Sequence, residues 1–280
     1  MEAQIKYNGE FKVIDTPEKA YVLGLIYSDG YVGKCGNHYQ HTIVLHNDDV
    51  ELLETIQRKF PFYKLKKHTK TSMELKCNYK ECVLDLYNNG VFEKKSTESK
   101  ELLCFPNIDE NLKSHFIRGY FDGDGSVYKQ KLGNTKIEIG GTGFKMITDI
   151  IKVLYDNRIT VNLRCKYVGE ALRKNDFYVL YTSSDKISKQ FAEYIYKDCG
   201  DLYLKRKYDR LFFIPEYNTK ERLVCPNCGQ TNTTYLEIRK MLNHTMQRGK
   251  CKDCNKQFSI KLTAPLSSNI QSGGDELLEG

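Results

Sequence analysis

Two aspartates and four cysteines carry the chemistry that spacing alone makes legible in this chain. Asp29 closes the segment VLGLIYSDG (22–30) and Asp124 closes IRGYFDGDG (117–125), so that Gly24, Asp29 and Gly30 recur as Gly119, Asp124 and Gly125 at a constant offset of 95 residues. A helix with glycine on one stripe can approach a second such helix closely, because no side chain stands between the backbones. Two such helices would each deliver a terminal carboxylate to one seam. Carboxylates at the negative ends of helix dipoles repel each other unless a cation lies between them. That asks for a divalent metal with oxygen ligands, Mg²⁺ by default, and beside a basic surface such a metal is placed to act on phosphodiester bonds. The cysteines form two C-x-x-C pairs, Cys225 with Cys228 and Cys251 with Cys254, with 22 residues between the pairs. Each pair can present two thiolates to one tetrahedral Zn²⁺.

The elements that must position these groups follow from the same repeat. HNDDVELLETIQRKF (46–60) lies over GTGFKMITDIIKVLY (141–155) at the same offset, with Ile56 over Ile151 and Phe60 over Tyr155. Each copy reads as helix, strands, helix, strands, helix. The opening helices start near Pro17 and Leu112 and end at Gly30 and Gly125, where glycine is expected in the left-handed conformation after a C-cap. Period-two alternation then marks strands: Leu65, Met73, Leu75 and Cys77 share one parity, and Lys64, Lys66, His68, Lys70 and Lys76 the other. In the second copy Val161, Leu163, Cys165 and Tyr167 alternate with Asn162, Arg164 and Lys166. One face of each sheet is therefore expected to be apolar and the other cationic, a solvated face being the plain alternative. The expected boundaries are 1–110 for the first repeat, 111–221 for the second, 222–260 for the cysteine module and 261–280 for a flexible tail.

With 280 residues and 32.5 kDa the chain has room for roughly two domains at about 150 residues each. A formal net charge of +7 tilts it toward polyanionic partners. The first residues lack a basic region followed by an apolar one, and no apolar run approaches the ~18 residues of a membrane span, so neither secretion nor insertion is expected. Of 10 cysteines, four are paired as above and the rest are scattered. That usage fits a reducing, intracellular compartment with one metal site, the cytoplasm of a bacterium or phage-infected cell or else an organelle.

VLGLIYSDG and IRGYFDGDG resemble the two signature helices of the LAGLIDADG homing endonucleases in their single-chain form. HFIRGYFDGDGSV (115–127), GVFEKKS (90–96) ahead of CFP (104–106), and LYLKRKYDRLFF (202–213) look like that family's usual surroundings, so the resemblance covers about residues 15–214. It implies an α+β fold of two pseudo-symmetric αββαββα repeats packed on their motif helices through Gly24 and Gly119, with four-stranded saddles lying in the DNA major groove. It further implies a monomeric, site-specific double-strand endonuclease of intron homing, using Mg²⁺ or Mn²⁺ on a long, imperfectly symmetric target. By the same resemblance Asp29 and Asp124 bind the catalytic metals. Lys95 and Lys207 match the assisting basic residues, with Lys94 and Lys205 near enough to compete for those roles. The DNA-facing set is Lys64, Lys66, His68, Lys70, Asn162, Arg164 and Lys166. The first motif departs from the pattern, having Tyr27 and Ser28 where the second has Asp122 and Gly123, but the departure spares Asp29. Asp122 is expected as a helix-terminal acid beside the ligand rather than a ligand. CPNCGQ and KCKDCNKQF look like the zinc ribbons of transposases and other DNA-handling proteins, holding one structural Zn²⁺. Arg239, Lys240, Arg248, Lys250, Lys252 and Lys256 there suit a DNA contact or a protein contact, and His244 is unnecessary as a ligand. An intron maturase acting on intron RNA and a catalytically inactive nucleic-acid-binding relative are the alternatives. An intein is disfavoured by the residues at the two ends.

Overall fold

The first motif helix, α1 (Pro17–Asp29), begins where Thr16 accepts a hydrogen bond from the Lys19 amide at 3.3 Å and Pro17 occupies the first turn. Its partner α4 (Lys113–Asp124) ends the same way, in an acid followed by glycine. Residues 20–27 of α1 and 115–122 of α4 are all buried, so neither helix has the polar face of a surface helix. The two helices are packed against each other at the centre of the larger part of this computed structural model. It describes residues 5–130, 134–166, 176–212, 224–240 and 245–262.

From α1 the chain runs through β1 (Gly30–Cys35), β2 (His38–His46), α2 (Val50–Lys59), β3 (Lys64–Lys67), β4 (Ser72–Cys77) and α3 (Lys80–Asn88). From α4 it repeats that order as β5 (Gly125–Lys129), β6 (Thr135–Gly141), α5 (Phe144–Asp156), β7 (Asn162–Cys165), β8 (Tyr178–Thr182) and α6 (Asp185–Tyr196). The two sheets are antiparallel with matching orders, β1-β2-β4-β3 and β5-β6-β8-β7. This is the αββαββα duplication that the offset of the motifs predicts. Helices α2 and α3 pack on the first sheet and α5 and α6 on the second, and a final helix α7 (Lys205–Phe212) packs on α6 and β5. Both repeats share one hydrophobic core, to which α1 contributes Tyr21, Leu25 and Ile26 and α4 contributes Phe116, Ile117 and Phe121.

Two expectations about backbone and register need correction. Gly30 and Gly125 have φ of −78° and −80°, which is extended rather than left-handed backbone. Their glycine is required by crowding instead. A Cβ on Gly30 would lie 2.6 Å from the Ile26 carbonyl oxygen, and one on Gly125 would lie 2.2 Å from the Phe121 ring. Lys70 lies in the bend between β3 and β4, so it does not belong to the strand alternation. The chain reverses at 68–71, where His68 and Thr69 both donate backbone hydrogen bonds to the Ser72 carbonyl.

The second compact unit contains the four paired cysteines and a three-stranded antiparallel sheet, β11-β10-β9, formed by β9 (Thr233–Lys240), β10 (Thr245–Cys251) and β11 (Gln257–Leu262). Among the described side chains its core holds Cys225, Cys251 and Phe258, with Cys254 and Ile260 packed against it. Tyr167, His244 and the expected tail beyond 262 lie outside the described residues, as do the side chains of Arg239 and Lys240.

Candidate active site and cysteine centre

The glycine stripes do what their spacing requires. A Cβ on Gly24 would sit 2.0 Å from the Phe116 carbonyl oxygen, and one on Gly119 would sit 1.9 Å from that of Tyr21. These contacts are with backbone, which cannot rotate away, so α1 and α4 can meet only through glycine. Further along the same seam Ser28 faces Gly123, where an added Cβ would lie 1.9 Å from the Ser28 hydroxyl. The departure of the first motif at Ser28 is therefore complemented by the glycine opposite it.

This packing brings Asp29 and Asp124 to one place. The Asp29 carboxylate lies 3.0 Å from the point where a Gly123 Cβ would be, one residue before Asp124. Both acids keep solvent-exposed surface, yet protein crowds them on their remaining sides. The carboxyl of Asp124 is pushed up to about 6, by burial first and then by the charge of Asp29. Asp29 is raised as well, by burial, against the pull of Lys207 and Lys95. Two neighbouring carboxylates, both harder to ionise than usual and both reachable from solvent, form a hard-oxygen donor set that suits a divalent cation.

The competing lysines separate cleanly. Lys94 sits at a positive φ of 53° on the surface and pairs with Glu98 at 2.7 Å, and Lys205 pairs with Asp209 at 3.1 Å. Lys95 and Lys207 instead turn inward, and each feels both acids. Lys95 donates to the Gly30 carbonyl at the end of α1. Lys207 is 3% exposed and donates to the carbonyls of Phe121, Asp122 and Gly123 at 2.7, 2.6 and 3.0 Å. Its three ammonium protons are thus matched to three carbonyls in the last turn of α4, the negative end of that helix. Burial pushes its pKa down to about 8.

Position 27 in the first repeat and position 122 in the second are equivalent, and each ties its motif helix to the segment carrying that repeat's lysine. Tyr27 donates to the Asn89 carbonyl at 2.7 Å, and Gly90 follows with φ of 82° where a Cβ would strike the Tyr27 hydroxyl at 2.4 Å. That contact anchors the stretch leading to Lys95. Asp122 is 1% exposed and accepts from Tyr21 at 2.8 Å, Tyr196 at 2.9 Å and the Leu204 amide at 2.9 Å, three residues before Lys207. Asp122 is thus an internal anchor. Arg118 extends this network, donating to the carbonyls of Leu202 and Ile195, both at 2.9 Å. Sequence reasoning missed these partners, because they lie 74 to 101 residues from Asp122 or Arg118 along the chain.

The outer sheet faces carry the expected cations, but not cations alone. Register places Lys64 opposite Lys76 and Lys66 opposite Glu74. Glu74 is 7% exposed, bonded to Lys66 at 2.9 Å and close to His68 at 3.5 Å. In the second sheet Arg164 binds Glu138, Lys136 reaches it at 2.8 Å, and Lys166 lies 4.0 Å from it. Asn162 shares that face, paired with Tyr181. Lys136 and Glu138 join this face beyond the residues expected there, and the alternation in TKIEIGG (135–141) puts both on one side.

In the second unit the sulfurs of Cys225, Cys228, Cys251 and Cys254 all lie within 4.8 Å of one another. Cys225 to Cys254 is 3.7 Å and Cys228 to Cys251 is 3.6 Å. A tetrahedron with Zn–S of about 2.3 Å has edges of about 3.8 Å, so this donor set fits zinc. The two knuckles are built alike. The Cys225 amide bonds the Gln230 carbonyl and the Cys251 amide bonds the Lys256 carbonyl, both at 2.9 Å. Each turn is completed by a left-handed residue four positions after its first cysteine, Gly229 at φ 71° and Asn255 at φ 57°.

Residues 111–196 match the family model of the LAGLIDADG-like domain, a span that holds α4 through α6. Among solved structures, I-DmoI in complex with DNA and Mn is similar at 16% identity with a TM-score of 0.45, over 65% of this chain and 97% of that one. The meganuclease I-AabMI bound to uncleaved DNA is similar at 16% identity and 0.47, over 70% and 88%. I-SmaMI bound to cleaved DNA is similar at 13% and 0.48, over 71% and 87%. No curated protein matches the chain. Among the described residues no helix is long and apolar enough to cross a membrane.

Proposed function

We propose that this chain, whose second repeat is a LAGLIDADG-like domain, is a site-specific double-strand DNA endonuclease of the homing type. The observation that carries the reading is the pairing of Asp29 with Asp124 at the ends of two glycine-packed helices, with Lys95 and Lys207 bonded to those helix ends and within electrostatic reach of both acids. In this reading residues 1–110 and 111–221 are the two halves of the enzyme and 222–260 is a zinc ribbon.

The carboxylates of Asp29 and Asp124 hold the catalytic Mg²⁺ or Mn²⁺. When bound, such a cation supplies Lewis-acid polarisation of a phosphodiester and lowers the pKa of water. Lys207 keeps the last turn of α4 in place and offsets the negative end of that helix, which holds Asp124 at a fixed position. Lys95 does the same for α1 through Gly30, with fewer bonds. The cations of the outer faces, Lys64, Lys66, Arg164 and Lys166 among them, take phosphates and base edges of a long duplex whose halves differ as the repeats do. Lys70, in its bend, is left to a peripheral phosphate contact. The four cysteines hold one structural Zn²⁺, whose binding supplies folding free energy to the unit that contains them.

Selection from a randomised duplex library in Mg²⁺ against EDTA tests the activity. Recovery of one cleaved sequence family in Mg²⁺ alone is expected, whereas binding without cutting would identify a nuclease-inactive DNA-binding protein. Elemental analysis should return one zinc per chain, and Cys251→Ser should lose it while the first unit stays folded.

A further inference from the structure

The outer faces of both sheets hold a buried acid that the nuclease reading does not use. Glu74 and Glu138 are 7% and 9% exposed, and each lies among the cations of its own sheet. Glu138 gathers Lys136 at 2.8 Å, Arg164, and Lys166 at 4.0 Å. Lys136 and Arg164 are also held over the Tyr181 ring at 5.3 and 4.9 Å. Glu74 gathers Lys66 at 2.9 Å and His68 at 3.5 Å, with the Lys64 and Lys76 pair next along the same face. The hydrogen bond that Lys136 donates to Glu138 raises the pKa of Lys136, so that lysine stays charged while paired.

We propose that Glu74 and Glu138 are specificity-determining residues that suppress sequence-independent binding to DNA. A face of lysine and arginine alone would grip any phosphate backbone, because counterion release rewards every neutralised phosphate whatever the sequence. A carboxylate fixed among those cations occupies their donors and repels phosphate. Only a duplex that offers something in return recovers the cost, such as a cytosine amino group donating to the carboxylate or a guanine edge accepting from the freed Arg164. Each sheet has one such acid, so each half of the target is screened separately. The inference rests on the proposal that these faces bind DNA.

Salt-dependent binding of a mixed-sequence duplex to the full-length zinc-loaded protein tests it, with no metal at the carboxylate site and therefore no cutting. Glu138→Gln and Glu74→Gln are each expected to tighten this binding by about threefold or more, the effect of removing one charge about 7 Å from a phosphate in water. Each should also steepen the plot of log affinity against log salt by up to ~0.9. Affinity for a selected target should rise less, so that discrimination falls. The double change Glu138→Gln with Lys136→Gln restores the charge balance and should return the slope to wild type. Unchanged or weaker mixed-sequence binding in the single variants overturns the inference. If Glu138→Gln does not fold, Glu74→Gln decides alone. A wild-type protein with no salt-dependent DNA binding would instead refute the DNA reading of the faces, a result distinct from wild-type binding that the glutamines leave unmoved.

Discussion

The two halves of the first unit reach the same helix end by different means. In the second repeat a buried acid, Asp122, draws together two tyrosine hydroxyls and the Leu204 amide, and Lys207 caps α4 with three hydrogen bonds inside the core. In the first repeat the equivalent residue is Tyr27, which makes one hydrogen bond to the Asn89 carbonyl, and Lys95 reaches a single carbonyl at the end of α1. What both halves keep is the glycine contact and the terminal acid. A duplicated site thus constrains the residues that meet on its pseudo-symmetry axis, while the supports behind them diverge as long as each still seats a lysine.

The glycine contact is the feature whose loss should be felt most, and equally from either side. Gly119→Ala or Gly24→Ala forces a methyl into backbone at about 2 Å, and is expected to cost ~4 kcal/mol or more of stability, enough to leave little soluble folded protein. Thermal denaturation checks this, and a well-folded variant would contradict the packing described. The lysines should separate the halves. Lys207→Met removes the donor from three buried carbonyls and should destabilise by about 2–4 kcal/mol, whereas Lys95→Met should cost only ~1 kcal/mol. Tyr27→Phe, which releases the stretch leading to Lys95, should resemble Lys95→Met in both stability and cleavage. Equal losses in the two lysine variants would erase the asymmetry.

The smallest of these effects concerns pH. The folded-state pKa of Asp124, raised to about 6 from an ordinary 3.8, means that the folded chain holds this proton more tightly than the unfolded chain. Its contribution to stability is therefore complete below about pH 4 and lost as pH rises through 6. Asp124→Asn abolishes that loss. Without metal the variant should match or exceed wild type at pH 7, by about 2–4 °C if solvent screening leaves ~1 kcal/mol of the penalty. At pH 4 the difference should vanish. Chemical denaturation at the two pH values reads it directly.

Much of this could be read from sequence, for a physical reason. Gly24, Gly119, Asp29 and Asp124 stand at fixed positions in a repeated helix, so their role is local and periodic. The cysteine knuckles are equally local, each closed by its own five-residue turn. The β3 and β4 faces followed from alternation, up to the bend at 68–71 that removes Lys70. The reason for glycine at 30 and 125 was not local, because it lies in the space left by Ile26 and Phe121 rather than in φ. The Asp122 network and the Tyr27 anchor were invisible for the same reason, since their partners come from other elements. Glu74 and Glu138 went unread, although the strand alternation places both on the cationic faces. Their burial and pairing do not follow from alternation.

One acid from each repeat is expected to hold the metal that cuts. Strand-resolved cleavage of the selected duplex in Mg²⁺ by Asp29→Asn, Asp124→Asn and the double variant, with duplex affinity measured in parallel in Ca²⁺, tests it most directly. Loss of several kcal/mol of transition-state stabilisation, about a thousandfold in rate or more, is predicted for each variant, with affinity held or slightly tightened as a negative charge leaves the phosphates. A double variant that cuts both strands at the wild-type rate would show that Asp29 and Asp124 do not hold the metal.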